Sequence, residues 1–271
     1  MDDNFVLTPQ QPFQRGSAKP GDTGRTRPGS ERPDKMRYTP SMTRRLHVRH
    51  LHVGNVQLPE AEAHHARDVL RMNELAIVEL FDDAGQVAHG KLNFDGQRGA
   101  SVAVDAVHTP AVAPFQLTIA AAVPKGERAD WMIEKLGELG VSRFIPLATE
   151  RSVVLPGGTN KRQRWERLAI ESAKQSRRAG IMRIDDLTPL ESAMSSGWYL
   201  STNDDAVRIG EMLGQKREPE LRLFIGPEGG WTDAERAAFD AAGLTGVRLT
   251  DTILRIETAA VAAAAVVMCL R

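Results

Sequence analysis

The chain has 271 residues, 41% of them hydrophobic, with 35 Lys and Arg set against 35 Asp and Glu. That length and apolar content support a packed core in one large or two modest domains, and the lone Cys269 excludes both a disulfide framework and a thiolate zinc site. The longest apolar run, Ala259 to Leu270, falls short of the roughly 20 residues that cross a bilayer, and no leader-like segment opens the chain. A cytoplasmic protein without a membrane partner is therefore expected.

The zero net charge hides a pattern. Residues 161–183 carry eight basic against two acidic side chains, and residues 1–45 carry nine against five. A concentrated basic segment attracts phosphate locally whatever the total charge.

Residues 1–41 hold six of the fifteen prolines and almost no apolar periodicity, the composition of a disordered tail. From Arg44 to about Pro110, short alternating runs are broken by turn residues. Ile77 to Phe81, Val87 to Leu92 and Ala100 to Val104 read as strands, with Asp82-Asp83-Ala84-Gly85 as a hairpin turn. Glu60 to Met72 reads as the helix of this region, which is expected to be a small β-barrel.

After Pro114 the pattern becomes strand–helix alternation. Leu117 to Val123 is a buried-type strand, followed by a helix from Ala129 to Leu139 that stops at Gly140. Next come a strand at Phe144 to Leu147, a long helix from Lys161 to Arg178, and strands at Trp198 to Leu200 and Leu221 to Ile225. Thr232-Asp233-Ala234-Glu235 is a capping box opening a helix that ends at Gly243. Val247 to Leu249 is the last strand and Glu257 to Leu270 the last helix. Such alternation implies an α/β layer on a mostly parallel sheet. Cys269 reads as a small core residue of the last helix.

Two segments stand out. Leu223 to Gly230 and Leu249 to Ala259 each begin as a strand, break into a polar loop and lead into a helix. Loops of this kind can line one crevice at the carboxyl edge of a parallel sheet. No Gly-x-Gly-x-x-Gly or Gly-Lys-Ser/Thr loop is present, so dinucleotide and nucleotide-phosphate sites lack their fingerprints. The glycines of Gly226-Pro227-Glu228-Gly229-Gly230 permit close approach to a ligand or to another loop. A tight turn beside a helix N-cap explains them equally well.

Arg164, Arg167, Glu171, Lys174 and Arg178 recur three or four residues apart, one stripe of a helix whose other face holds Trp165, Leu168, Ala169 and Ser172. Solvation alone explains many charged stripes, but an excess of six positive charges in 23 residues favours contact with RNA phosphate. All seven histidines lie between His47 and His108 without the spacing of a metal site, so no metal is expected.

Read together, these segments resemble the small-subunit rRNA uridine-N3 methyltransferases, the RsmE family of the knotted SPOUT superfamily. The resemblance runs through His64-His65-Ala66-Arg67-Asp68-Val69-Leu70-Arg71, Lys125-Gly126 through Ile133 to Gly140, Glu150-Arg151-Ser152, Glu171 to Arg178 and the two C-terminal segments. Gly137 stands where a threonine is common, and Thr252 where an arginine often sits.

The resemblance implies a PUA-like β-barrel at 42–112, then a SPOUT-type α/β domain at 113–271 with a parallel sheet and a trefoil knot, working as a homodimer. It implies S-adenosyl-L-methionine as methyl donor and N3 of a uridine in 16S rRNA of the small ribosomal subunit as acceptor. Donor contacts are expected from Leu200, Ser201 and Thr202, from Ile225, Gly226, Pro227, Glu228 and Gly229, and from Leu249, Thr250, Ile253 and Leu254. Arg255 and Glu257 are the expected catalytic residues, with Glu257 positioning Arg255 or the donor's amino group. The bland alternative is an Arg255–Glu257 ion pair that merely complements a helix N-terminus. Arg44, Arg45, Arg71, Arg164, Arg167, Lys174 and Arg178 are the expected RNA contacts. Two other functions stay open on sequence: a non-catalytic RNA-binding or ribosome-assembly protein on the same scaffold, and a SPOUT methyltransferase acting on tRNA. The last helix is apolar all round, which also fits burial against a second subunit.

Overall fold

A computed structural model describes residues 43–96, 98–110, 115–155, 158–215 and 218–271. The expected N-terminal tail and the expected boundary between residues 112 and 113 lie outside them.

The first part is built on a five-stranded sheet. Strands β1 (Arg44–His47) and β2 (Gly54–Gln57) precede a short helix α1 (Glu60–His64), which widens into a π-turn over His65–Val69. Then β3 (Ile77–Phe81), β4 (Val87–Asp95) and β5 (Gly99–His108) follow, in the spatial order β1-β3-β4-β5-β2. β1 runs parallel to β3, and the other pairs are antiparallel. The turn after β3 forms because the carboxylate of Asp82 accepts from the N–H groups of Ala84 and Gln86, while Gly85 takes a φ of +79°. Leu46, Val56, Val78, Leu80, Leu92 and Val102 are buried together as the core of this part.

The second part alternates strand and helix. It comprises β6 (Gln116–Ala122), α2 (Glu127–Glu138), β7 (Arg143–Ala148), α3 (Thr159–Ser176), the short β8 (Arg183–Ile184) and β9 (Thr188–Pro189), and α4 (Leu190–Ala193). β10 (Trp198–Leu200), β11 (Val207–Arg208), α5 (Ile209–Gln215), β12 (Glu220–Ile225), α6 (Asp233–Ala241), β13 (Thr245–Arg248) and α7 (Ile256–Leu270) complete it. Among the described residues its strands form one parallel sheet in the order β11-β13-β10-β12-β6-β7-β8, with β9 beside β7. β12 inserts between β10 and β6, so β12, β10 and β13 lie side by side.

The strands read as apolar runs because both faces are covered. On one face Ile119, Ala121, Leu223 and Ile225 pack with Met132, Ile133 and Leu136 of α2 and with Ala260, Ala263, Ala264 and Val267 of α7. On the other, Ala120, Ile145, Tyr199 and Phe224 pack with Leu190 and Phe239. Helix ends follow their local chemistry. Gly140 and Gly243 take φ of +87° and +71° beyond α2 and α6, and the Thr232–Glu235 capping box is made in full. α3 stops two residues before the expected end, because Arg177 adopts the left-handed conformation, φ +56°. Gly137 has a steric reason to lack a side chain: a Cβ there would lie 2.1 Å from Ser172 Oγ, where α2 crosses α3. Cys269, expected in the core, is exposed instead, on the outer side of the last turn of α7.

Polar contacts join α3 to the five-stranded sheet. Arg45 is buried with its guanidinium 4.2 Å above Phe81, ion-paired to Glu79 at 2.7 Å and donating to the carbonyl of Ala173 at 2.7 Å. Lys174 pairs with Glu62 and, at 2.9 Å, with Glu171, and Arg177 donates to the carbonyl of Thr43.

Candidate functional site

A crevice of about 360 Å3 opens at the carboxyl ends of β10, β12 and β13. All twelve residues expected from the sequence line it: Leu200, Ser201 and Thr202 after β10, Ile225 to Gly229 after β12, and Leu249, Thr250, Ile253 and Leu254 after β13. Asn203, Trp231, Arg151, Arg236, Ile256 and Ala259 complete the described lining together with Gly230 and Thr252.

The loops hold one another. Trp231 Nε1 donates to the carbonyl of Leu200 at 2.9 Å, tying the β12 loop to the β10 loop. The Trp231 ring lies against Gly226 so closely that a Cβ there would meet Cε2 at 2.9 Å. Gly229 serves a second approach, since Arg151 packs on it and donates to its carbonyl at 2.8 Å. Gly230 closes a turn by donating to the carbonyl of Pro227, with φ +70°. The β13 loop is pinned by Asp251, which accepts two bonds from Arg208 at 2.7 and 2.8 Å. Those bonds hold the Asp251 carboxyl below its ordinary pKa. Thr250 Oγ1 accepts from the backbone N–H of Thr252 at 2.9 Å.

The expected catalytic pair is not a pair. Arg255 sits at the N-cap of α7, exposed, with no side-chain partner among the described residues. Glu257 is buried, 7% exposed, and its neighbour is Arg128 on the first turn of α2, whose Nη1 lies 3.4 Å from Oε1. Arg255 has extended backbone at the N-cap and its side chain makes no cap bond, while Glu257, inside the helix, is turned toward α2. Neither Arg255 nor Glu257 lines the crevice, whereas Ile256 between them does. Arg128 also reaches Glu228, at 3.0 Å, on the crevice wall. Sequence reasoning missed Arg128 and Trp231. Trp231 was findable as the aromatic residue between the glycine loop and the capping box.

The seven expected RNA contacts separate into two groups. Arg44 and Arg71 are exposed, as are Arg164, which pairs with Asp130 at 2.8 Å, and Arg167. The other three are occupied within the fold. Arg45 and Lys174 make the buried contacts of the α3 junction. Arg178 donates to the carbonyls of Gly137 and Val141 at 3.1 and 2.7 Å, and burial lowers its pKa to about 10. The stripe on α3 is thus solvated at one end and packed at the other. Among the described residues no group of three His, Cys, Asp or Glu side chains gathers as metal ligands, and no helix is long and apolar enough to cross a membrane.

Comparison with known proteins gives a consistent result. Residues 111–268 match the RNA methyltransferase domain family. The chain is 32% identical over 220 residues to the ribosomal RNA small subunit methyltransferase E of Synechocystis, covering 76% of this chain and 70% of that one. The structure of the Neisseria gonorrhoeae small subunit methyltransferase E bound to S-adenosyl methionine aligns with a TM-score of 0.72 at 29% identity, covering 83% of this chain and 96% of that one. A methyltransferase structure from Legionella pneumophila aligns with a TM-score of 0.76 at 24% identity over 84% and 98% of the two chains, a likeness of fold.

Proposed function

We infer the reaction from one premise: this chain belongs to the ribosomal RNA small subunit methyltransferase E family. It is an S-adenosylmethionine-dependent methyltransferase of ribosomal RNA. The finer reading proposed here is transfer to N3 of a uridine in 16S rRNA, with the crevice as donor site. The observation that carries it is the convergence of the loops after β10, β12 and β13 on one crevice.

The residues present suit such a donor. A cavity of about 360 Å3 lies within the range of small-molecule sites, about 300–1,000 Å3. Leu200, Ile225, Leu249, Leu254 and Ile256 offer apolar walls for a purine and an aliphatic chain. The backbone of the glycine loop offers N–H and C=O groups for polar edges. The donor supplies an electrophilic methyl group on a sulfonium. The protein's task is then to orient the acceptor, worth about 7–11 kcal/mol when the reacting atoms are aligned, and to ease the loss of the N3 proton. Arg255, exposed beside Ile256 and without a side-chain partner among the described residues, is assigned to the uracil carbonyl or a neighbouring phosphate, where its charge stabilises the anion left by that proton. Glu257, held by Arg128, is assigned to orientation and not to the base. N3 is enclosed in a base pair, so the target uridine must be unpaired or extruded.

Arg44, Arg71, Arg164 and Arg167 are the proposed phosphate contacts, supported by their exposure. The proposed division is a PUA-like barrel at 42–112 and a trefoil-knotted domain at 113–271. The insertion of β12 between β10 and β6 favours the knot. A cytoplasmic protein is proposed, and its assembly as a homodimer is supported by α7, where Val261 and Val266 are only partly buried at the edge of the core and Leu270 is exposed.

Purified protein and methyl-labelled S-adenosylmethionine, incubated separately with small ribosomal subunits and with tRNA, provide the test, read by mass spectrometry of the nucleosides. Labelled 3-methyluridine is expected. Label on a ribose oxygen, or label only in tRNA, overturns the assignment of acceptor. Saturable donor binding without any RNA methylation overturns the catalytic reading.

A further inference from the structure

Arg128 lies within the segment from Lys125 to Gly140 but carries no role from the sequence, yet it touches two of the elements that shape the crevice. Its Nη1 donates to Glu228 Oε1 at 3.0 Å and lies within reach of Glu257 Oε1 at 3.4 Å. Glu228 stands between Pro227 and Gly229 in the crevice wall. Glu257 stands in the first turn of α7, between the lining residues Ile256 and Ala259. The two carboxylates differ in setting: the side chain of Glu228 is 52% exposed, whereas that of Glu257 is 9% exposed and its Oε2 is enclosed without a hydrogen-bond partner among the described residues. A carboxylate that enclosed needs a cation beside it, and among the described residues Arg128 is the one paired with it. The carboxylates raise the Arg128 pKa, the Glu228 hydrogen bond foremost, so the guanidinium stays charged.

We propose that Arg128 is a positioning residue for methyl transfer: one guanidinium clamps the glycine loop to the first turn of α7, fixing the donor-binding wall and the Glu257 carboxylate together. The inference rests on the methyltransferase reading of the crevice. A planar fork suits this task because it presents several donors in fixed directions, while a lysine offers a compact charge on a flexible stem. Without the clamp the glycine loop keeps its ties to Leu200 and Arg151 but loses its tie to α7, and Glu257 loses its counter-charge.

Hydrogen exchange on the protein without donor, together with calorimetric titration of S-adenosylmethionine, tests the clamp. Arg128→Ala should speed amide exchange in residues 226–230 and 256–259 about tenfold, the scale of a lost charge-assisted bond, while β6 and β7 exchange as in wild type. Donor Kd should rise by a similar factor, and Arg128→Lys should recover only part of either loss. Glu228→Gln, which leaves Glu257 paired, should loosen 226–230 alone, and it carries the test if Arg128→Ala does not fold. Adding Glu228→Gln to Arg128→Ala should speed the loop no further. Unchanged exchange in the loop of either folded variant overturns the clamp. Failure of the wild-type protein to bind S-adenosylmethionine sinks the methyltransferase reading instead, and the exchange data still decide the clamp.

Discussion

Gly226→Ala adds one methyl group at the tightest point of the crevice wall. Its Cβ would lie 2.9, 3.1 and 3.3 Å from Cε2, Cδ2 and Cζ2 of Trp231, whereas carbon atoms rest at about 3.5–4.0 Å. The indole must therefore retreat by roughly 0.5–1 Å. It has little room, being 6% exposed and set edge-on to Phe239 at 4.9 Å, which in turn stacks on Tyr199 at 4.5 Å. Overpacking of this kind costs about 1–3 kcal/mol. Any retreat also strains the Trp231–Leu200 bond, worth about 0.5–1.5 kcal/mol. A loss near 2 kcal/mol lowers Tm by about 4–8 °C in a unit of this size. Because the same ring bridges two of the proposed donor-binding loops, the affinity for S-adenosylmethionine should fall by about tenfold, or 1.4 kcal/mol. Thermal melting and calorimetric titration read the two effects. Gly210→Ala on α5 is the control, since nothing lies within 4 Å of its Cβ position, and there the same change should leave Tm equal or slightly higher. A Gly226→Ala protein with the Tm and donor affinity of wild type would refute the packing argument.

Two further outcomes follow from where the charges lie. Arg255→Ala should keep Tm within about 1 °C, because its side chain has no partner among the described residues, yet cut methylation of rRNA at least about tenfold, 1.4 kcal/mol in the barrier. Initial rates normalised to folded protein check this, and a loss merely proportional to unfolded protein would sink the assignment. Reversing Arg164 and Arg167 to Glu should flatten the salt dependence of RNA binding by about 0.7 in log–log slope for each arginine–phosphate pairing removed. Lys174→Ala should instead lower Tm while leaving that slope alone, since its side chain is 11% exposed and paired with Glu62. Filter-binding titrations across a salt series separate the two, and a flattened slope for Lys174→Ala would return it to the RNA surface.

The main elements of the α/β layer were legible because its strands are covered on both faces and so read as unbroken apolar runs, while glycine and the Thr232–Glu235 box mark helix ends. Shorter pieces were not legible. β8, β9 and β11 have two residues each, too few for any period to register. Arg177 ended α3 without a glycine to announce it. The stripe on α3 could be read as a stripe, but periodicity does not say what a face meets, and Lys174 meets Glu62, 112 residues away. The bland alternative, an Arg255–Glu257 ion pair, is not formed, because Arg255 stands on extended backbone at the N-cap while Glu257 is turned toward α2. Its replacement, Arg128 with Glu257, spans 129 residues, and only the fold brings it together.

The division of labour at this site follows from that correction. The crevice is bounded by loops pinned through Trp231–Leu200, Arg151–Gly229 and Arg208–Asp251, so its shape depends largely on backbone placement and close glycine packing. The titratable residues assigned to the reaction stand outside the crevice lining, on either side of Ile256. Changes at Gly226 or Trp231 should therefore act first on donor affinity and changes at Arg255 first on turnover. Arg128, touching the wall through Glu228 and α7 through Glu257, is where the two kinds of effect should appear together. A neutral chain can serve an anionic partner on this plan, because the proposed donor site draws little on net charge and leaves the exposed arginines for the proposed RNA contacts.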